Sequence, residues 1–329
     1  MARWISNPDR DAGWTCRPAP AGVLDFHRSL PGYAPTPFVP LPGPNGTRLF
    51  AKDESNRLGL PAFKALGASW AVHRTLRERA PTGPVTIVTA TDGNHGRAVA
   101  RFARGFGHRA SIFVPDGVHP AAVQAIRDEG ATVTHVAGDY DAAVRAASRV
   151  TDGILVQDMA WDGYEEIPGW IVDGYTTLFA EIDDQLQGRP DLVVVPAGVG
   201  SLLQAALTHY RRADAAPGTA VVSVEPATAA CVLASVAAGR PTTIPTGTTI
   251  MAGLNCGTIS SLAWPHIRPG LDGCVAVDDT EVADAARRLA ANGVDAGPCG
   301  AAPLAALDAI EPAGTVVLLV TEGSAANPA

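Results

Sequence analysis

The chain has 329 residues, enough for two lobes of ordinary domain size, each with a core of its own. Charged residues make up 18% and hydrophobic ones 47%, which excludes a largely disordered chain, and the formal net charge of −8 excludes a nucleic-acid binder that works through a basic stripe. No run of about 18 apolar residues is present to span a bilayer, so no membrane partner is expected. The segment from Met1 to Asp9 lacks the apolar core of a signal peptide, and the expected location is cytoplasmic. After the Gly/Pro-punctuated stretch Asn56-Arg57-Leu58-Gly59-Leu60-Pro61, a run reading as a helix starts at Lys64 and continues to about Arg79. Lys64 stands among Ala62, Phe63, Ala65 and Leu66. Apolar surroundings lower the pKa of an amine and prepare it to attack a carbonyl as a Schiff-base lysine. The alternative is a lysine that snorkels along an apolar face with its head in water.

Short β-branched runs follow at Val85–Thr89, Ser111–Val114, Thr132–Val136, Ile154–Gln157, Leu192–Val195, Ala220–Val224 and Thr315–Val320, with helical stretches between them. Alternating strands and helices imply an α/β fold with parallel-rich sheets covered by helices. Ligands in such sheets collect outside the carboxyl ends of strands, and the unusual loops lie there. Thr91-Asp92-Gly93-Asn94-His95-Gly96 follows the first run, Asp158 the fourth, Pro196-Ala197-Gly198-Val199-Gly200-Ser201 the fifth, Glu225 the sixth and Thr321-Glu322-Gly323-Ser324 the seventh.

The loop at Gly198–Leu202 suits an anion, because glycine lets the backbone approach and helix-start amides donate. Any tight strand-to-helix turn also favours glycine, and neither the P-loop nor the dinucleotide pattern is present. In the loop from Thr91 to Gly96, glycines free amides to face a carboxylate, Asn94 both donates and accepts, and Asp92 can act as a base or bind an amine. His95 also reads as a partly buried residue at a helix start. No metal is expected. The eight histidines contain no i, i+4 pair, and Cys16, Cys231, Cys256, Cys274 and Cys299 contain no C-x-x-C, consistent with free thiols.

Taken together, these stretches resemble the fold type II enzymes that use pyridoxal 5'-phosphate, the tryptophan synthase β-subunit family. Lys52-Asp53-Glu54-Ser55 leading into Ala62-Phe63-Lys64, Ala90–Arg97, Gln157–Tyr164, Ala197–Ser201, Val224-Glu225-Pro226, Thr249–Gly257 and Thr321-Glu322-Gly323 are most similar to one branch, diaminopropionate ammonia-lyase. The resemblance runs from about Tyr33 to Gly323. It implies a two-lobed fold, with a larger cofactor-binding domain at 1–82 and 171–329 and a smaller, mobile, substrate-side domain at 83–170. Lys64 would bond the cofactor covalently, Asn94 would meet its 3-hydroxyl, Gly198, Val199, Gly200, Ser201 and Leu202 its phosphate, and Thr321 its pyridine nitrogen. Asp92 and Asp158 would be the catalytic carboxylates beside the substrate, with Thr91, Asp92, Gly93 and His95 binding it. The family tends to dimerise, so a homodimer is expected.

The chain departs from the pattern at Gly297-Pro298-Cys299-Gly300, where many relatives carry a Gly-Glu-Ser-Gly-like turn, and it is shorter than lyases of this branch tend to be. The expected reaction is α,β-elimination from a small amino acid, 2,3-diaminopropionate or an analogue, giving pyruvate and ammonia. β-Replacement or epimerisation on the same cofactor, and a degenerate non-catalytic binding module, are the alternatives. Cys231 and Cys256 align with cysteines that can sit close together in that branch, or they are two separate buried thiols.

Overall fold

In a computed structural model, residues 3–215 and 218–326 are described. The N-terminal portion forms β1 (Arg3–Ser6), α1 (Val23–Ser29), β2 (Phe38–Leu41), β3 (Arg48–Asp53) and α2 (Lys64–Arg79). A strictly alternating block follows, with β4 (Thr86–Ala90), α3 (Asn94–Gly105), β5 (Arg109–Pro115), α4 (Pro120–Asp128), β6 (Thr132–Val136), α5 (Tyr140–Ser148) and β7 (Ile154–Leu155). The remainder comprises α6 (Glu166–Leu186), β8 (Leu192–Pro196), α7 (Ser201–Tyr210), β9 (Ala220–Pro226), α8 (Cys231–Ala238), α9 (Trp264–Gly270), β10 (Gly273–Val277), α10 (Asp279–Ala290), α11 (Pro298–Ala306) and β11 (Thr315–Val320).

Two sheets result. One has seven strands in the order β1-β10-β9-β8-β11-β3-β2, parallel in the middle with antiparallel edges at β1 and β2. The other has four, in the order β6-β5-β4-β7, all parallel. Every residue of β8 (LVVVP) and β11 (TVVLLV) is buried, as expected of central parallel strands covered by helices on both faces. Each of the seven apolar runs singled out in the sequence overlaps a strand, although β7 takes only Ile154 and Leu155 of the fourth, and α2 spans the expected residues. The sequence reading did not find β1, β2, β3 or β10. β1 and β2 are short edge strands, β3 (RLFAKD) carries two charges at its carboxyl end, and β10 is short and opens on glycine.

Helices α2 and α6 run through one continuous apolar core that joins the two sheets, with Leu66, Val72, Ile87, Ile112, Ile171 and Phe179 among its members. Their backbones meet directly. A Cβ on Gly174 would lie 2.6 Å from the Leu66 carbonyl oxygen, and one on Gly67 would lie 2.5 Å from the Tyr175 ring. Glycine is required at this crossing, which fixes the start of α2 and with it Lys64.

A second device holds the segment ahead of α2. Lys52 on β3 donates to Glu181 of α6 at 2.6 Å and to the Thr36 carbonyl at 3.0 Å. Arg57, in the turn before α2, reaches Glu54 at 2.6 Å and Glu181 at 2.7 Å. These four side chains are 0–2% exposed and their charges cancel. Although burial alone would raise the Glu181 pKa, the adjoining Arg57 and Lys52 outweigh it and hold the carboxyl below the usual range. Glu181 therefore contributes stability above its unfolded pKa, and that contribution is lost as pH falls from about 4 toward the depressed folded value. Removing one member of such a cluster strands a buried charge at a cost of about 3–5 kcal/mol. Glu181→Gln should accordingly lower the unfolding free energy in urea by that order at pH 7. An unchanged midpoint and slope would contradict the role given to this cluster.

Candidate active site

A cavity of about 520 Å³ opens at the carboxyl ends of strands from both sheets. Lys64 enters it from the start of α2, Asp92, Asn94 and His95 from the loop after β4, and Asp158 from the loop after β7. The large sheet contributes Gly198, Val199, Gly200, Ser201 and Leu202 after β8, and Thr321 after β11. The loops read from the sequence thus converge on one space.

At its base the Lys64 ammonium lies 2.7 Å from Asp158 Oδ2. Asp158 Oδ1 accepts from the Tyr140 hydroxyl and from Gln157 Nε2, each at 3.2 Å. The lowered lysine pKa expected from apolar neighbours is corrected here. Burial does push the amine down, but Asp158 and, to a lesser degree, Tyr175 outweigh it and hold Lys64 above its ordinary value. The same contact holds Asp158 below the carboxylate range despite its burial. His95 Nε2 meets the Val156 carbonyl at 2.9 Å and so carries the proton, leaving Nδ1 buried, without a hydrogen-bond partner, 3.9 Å from Asp158 Oδ2. Asp92 is open to the cavity. Enclosure by the surrounding wall, reinforced by the Asp158 charge, outweighs Lys64 and raises its pKa.

Gly200 takes the left-handed conformation at φ +96° and starts α7 without a side-chain cap. A Cβ there would lie 3.1 Å from both Ala263 and Ile267, so glycine serves the backbone geometry and the space behind it. The first amides of α7 have no intrahelical acceptor and are directed to the loop mouth. The Ser201 hydroxyl donates to the Asp158 carbonyl at 3.2 Å and ties the two loops together. Thr321 Oγ1 is buried and lacks a hydrogen-bond partner.

Two residues expected to bind substrate do not line the cavity. The Thr91 hydroxyl accepts from the Gly93 and Gly96 amides at 2.9 and 3.1 Å, and Gly93 forms the bend at φ +159°, so both shape the loop that presents Asp92 and Asn94. Cys231 and Cys256 flank Gly198. The Cys231 thiol lies 3.6 Å from the Gly198 carbonyl, a Cβ on Gly198 would lie 3.1 Å from Cys256 Sγ, and both are free thiols. Of the pair, Cys256 lines the cavity.

Sequence reasoning missed three polar members of the site. Glu322 accepts from Asn94 Nδ2 at 2.9 Å, and its place directly after Thr321 at a strand end was the available signal. Tyr140 stands at the start of α5, 18 positions from Asp158 and on a different element, and Gln157 ends a run read as strand.

The fold and the constellation define a fold type II α/β enzyme with a lysine at the base of its cleft. A sequence model described as pyridoxal-phosphate dependent enzyme matches residues 29–322, and the chain belongs to that family. A diaminopropionate ammonia-lyase of Salmonella typhimurium is 38% identical over 303 residues, covering 82% of this chain and 75% of the relative. One from Escherichia coli K12 is 34% identical over 269 residues, covering 74% and 68%. The solved structure of the Escherichia coli diaminopropionate ammonia lyase with an aminoacrylate-PLP azomethine reaction intermediate matches with a TM-score of 0.88 at 30% identity, over 99% of this chain and 94% of that one. Maize serine racemase matches with a TM-score of 0.81 at 25% identity, over 93% of both chains.

The residues present fit pyridoxal 5'-phosphate. The Lys64 amine would serve for covalent attachment, the uncapped amides at the start of α7 would take a phosphate, and the orphaned Thr321 hydroxyl would pair with a ring nitrogen. Gly200→Asp would add a charge to the phosphate loop and a Cβ where φ is +96°. Cofactor affinity should fall more than tenfold, a loss of about 1.4 kcal/mol or more, in an absorbance titration with circular dichroism as the folding control. Unchanged affinity would remove this loop from the phosphate site.

Proposed function

We propose that this chain is a pyridoxal-phosphate-dependent ammonia-lyase that eliminates the β-amine of 2,3-diaminopropionate or a close analogue. The observation that carries the reading is the pair of carboxylates, Asp92 and Asp158, that line the same cavity as Lys64, with Asp158 holding an ammonium group at 2.7 Å. A substrate bearing a second ammonium finds there the partner that Lys64 occupies in this structure. The ammonia-lyase relatives support the same chemistry.

When bound, the cofactor supplies an electron sink for charge developing at the substrate's α-carbon. Lys64, Asn94, the amides from Gly198 to Leu202 and Thr321 hold it. A neutral threonine hydroxyl at the ring nitrogen stabilises a protonated ring less than a carboxylate would, which favours prompt expulsion of a β-leaving group over storage of the charge. Asp92 and Lys64 are the groups placed to take the α-proton, one from each side, and Asp158 orients the leaving amine. The released 2-aminoacrylate hydrolyses to pyruvate and a second ammonia. In this reading Asp92, Asn94 and Asp158 belong to a mobile substrate-side unit at 83–170, and Lys64, the phosphate loop and Thr321 to the cofactor unit at 1–82 and 171–329. Five free thiols support a reducing, cytoplasmic setting, and the family resemblance supports a homodimer.

Ammonia and 2-oxoacid should be measured with D- and L-2,3-diaminopropionate, serine and threonine. Diaminopropionate should be turned over best, with two ammonia per pyruvate. Turnover of serine or threonine alone would make the protein a hydroxyamino-acid dehydratase, and a colourless protein without cofactor would revive a binding module. If both enantiomers react, Asp92→Asn should retain cofactor and lose D-isomer turnover by about 10²–10⁴-fold while affecting the L-isomer less. Equal losses would make Asp92 a binding group for the substrate amine.

A further inference from the structure

Asp158 is the carboxylate on which the proposed reaction turns, and its second oxygen is held by a chain of hydrogen bonds whose polarity is fixed from one end. The Ala90 amide can only donate, and it donates to Gln157 Oε1 at 2.9 Å, joined by the Thr89 hydroxyl at 2.9 Å. This settles the orientation of the Gln157 carboxamide, so its Nε2 donates to the Tyr140 oxygen at 2.7 Å. With an N–H already pointing at its oxygen, Tyr140 has its own proton left for Asp158 Oδ1, 3.2 Å away. Burial holds the phenol well above its ordinary pKa, so it remains a donor. Tyr140 comes from the start of α5 and lines the cavity, whereas Ala90 ends β4 and Gln157 follows β7.

We propose that Tyr140, oriented by Gln157, is the positioning and specificity residue for the substrate's β-ammonium group, because it fixes Asp158 Oδ1 and leaves Oδ2 directed into the cavity. Oδ2 is the oxygen that Lys64 contacts at 2.7 Å. Once Lys64 engages the cofactor, that oxygen is vacated by a cation, and the Tyr140–Gln157 chain keeps the carboxylate from turning to another partner. A ligand with an ammonium on its β-carbon then regains the lost ion pair, and one whose β-carbon is a bare methyl group does not. The inference rests on the ammonia-lyase reading and deepens it.

The test uses holoenzyme, with kcat/KM for 2,3-diaminopropionate and the inhibition constant of alanine, which keeps the α-amino and α-carboxyl groups but carries hydrogen in place of the β-ammonium. Tyr140→Phe should keep the cofactor absorbance band and the alanine constant within about threefold, while kcat/KM for diaminopropionate falls roughly 10–100-fold, the worth of a hydrogen bond to an ionised group. Gln157→Glu keeps an acceptor for the Ala90 amide but removes the donations of Nε2 to Tyr140 and directly to Asp158 Oδ1, and it sets a second carboxylate beside Asp158. It should cause a selective loss at least as large, so a Tyr140→Phe chain that fails to fold leaves the proposal testable. Parallel losses in both quantities, or no change in either, would reduce Tyr140 to a packing residue and overturn the inference. Wild-type enzyme that does not turn over diaminopropionate would sink the ammonia-lyase reading, and the inference with it. Wild-type turnover with unchanged discrimination in both variants would sink the inference alone.

Discussion

The contact between Lys64 and Asp158 is the point on which the site depends, and each partner reaches it from a different sheet. Lys64 is carried by α2, whose backbone is locked against α6 through Gly67 and Gly174. Asp158 follows β7 of the four-stranded sheet and is tied by its carbonyl to Ser201 of the phosphate loop. Burying an ion pair adds little net stability, since desolvation offsets most of the attraction, whereas separating it leaves two costly charges. The pair is therefore better understood as a stored binding position. In the proposed reaction, the Lys64 ammonium would give up this position to the cofactor and the substrate's ammonium would take it.

That arrangement needs a rigid base, and the cluster of Lys52, Glu54, Arg57 and Glu181 provides one a few residues ahead of Lys64. It joins β3, the turn before α2, and α6 without net charge. The phosphate loop is rigid for a different reason. Gly200 is held by its positive φ and by Ala263 and Ile267 behind it, so the amides of α7 are oriented before any anion arrives. Preorganised donors and a fixed carboxylate are what electrostatic catalysis requires of a scaffold.

Much of this was legible in the sequence because the informative residues lie in short local patterns. Apolar runs marked the interior parallel strands, loops placed after them held Asp92, Asn94, Asp158, Gly200 and Thr321, a helix start after a Gly/Pro turn held Lys64, and all of these meet in one cavity. The illegible parts are contacts between segments. The sign of the Lys64 pKa shift could not be read from its apolar neighbours, because the deciding charge lies 94 positions away. Tyr140 and Glu322 acquire meaning only through their partners Asp158 and Asn94. Thr91, read from the string as a substrate ligand, turns its hydroxyl to the Gly93 and Gly96 amides of its own loop, a contact that local sequence does not reveal. Edge strands β1 and β2 escaped notice since one-sided pairing demands little apolar patterning.

The central claim is that Lys64 is the amine to which pyridoxal 5'-phosphate attaches. Borohydride reduction of the purified holoenzyme followed by peptide mapping tests it most directly. A single pyridoxyl group should be found on the peptide containing Lys64, with loss of the visible absorbance. A pyridoxyl group on Lys52, or on no lysine, would contradict the account.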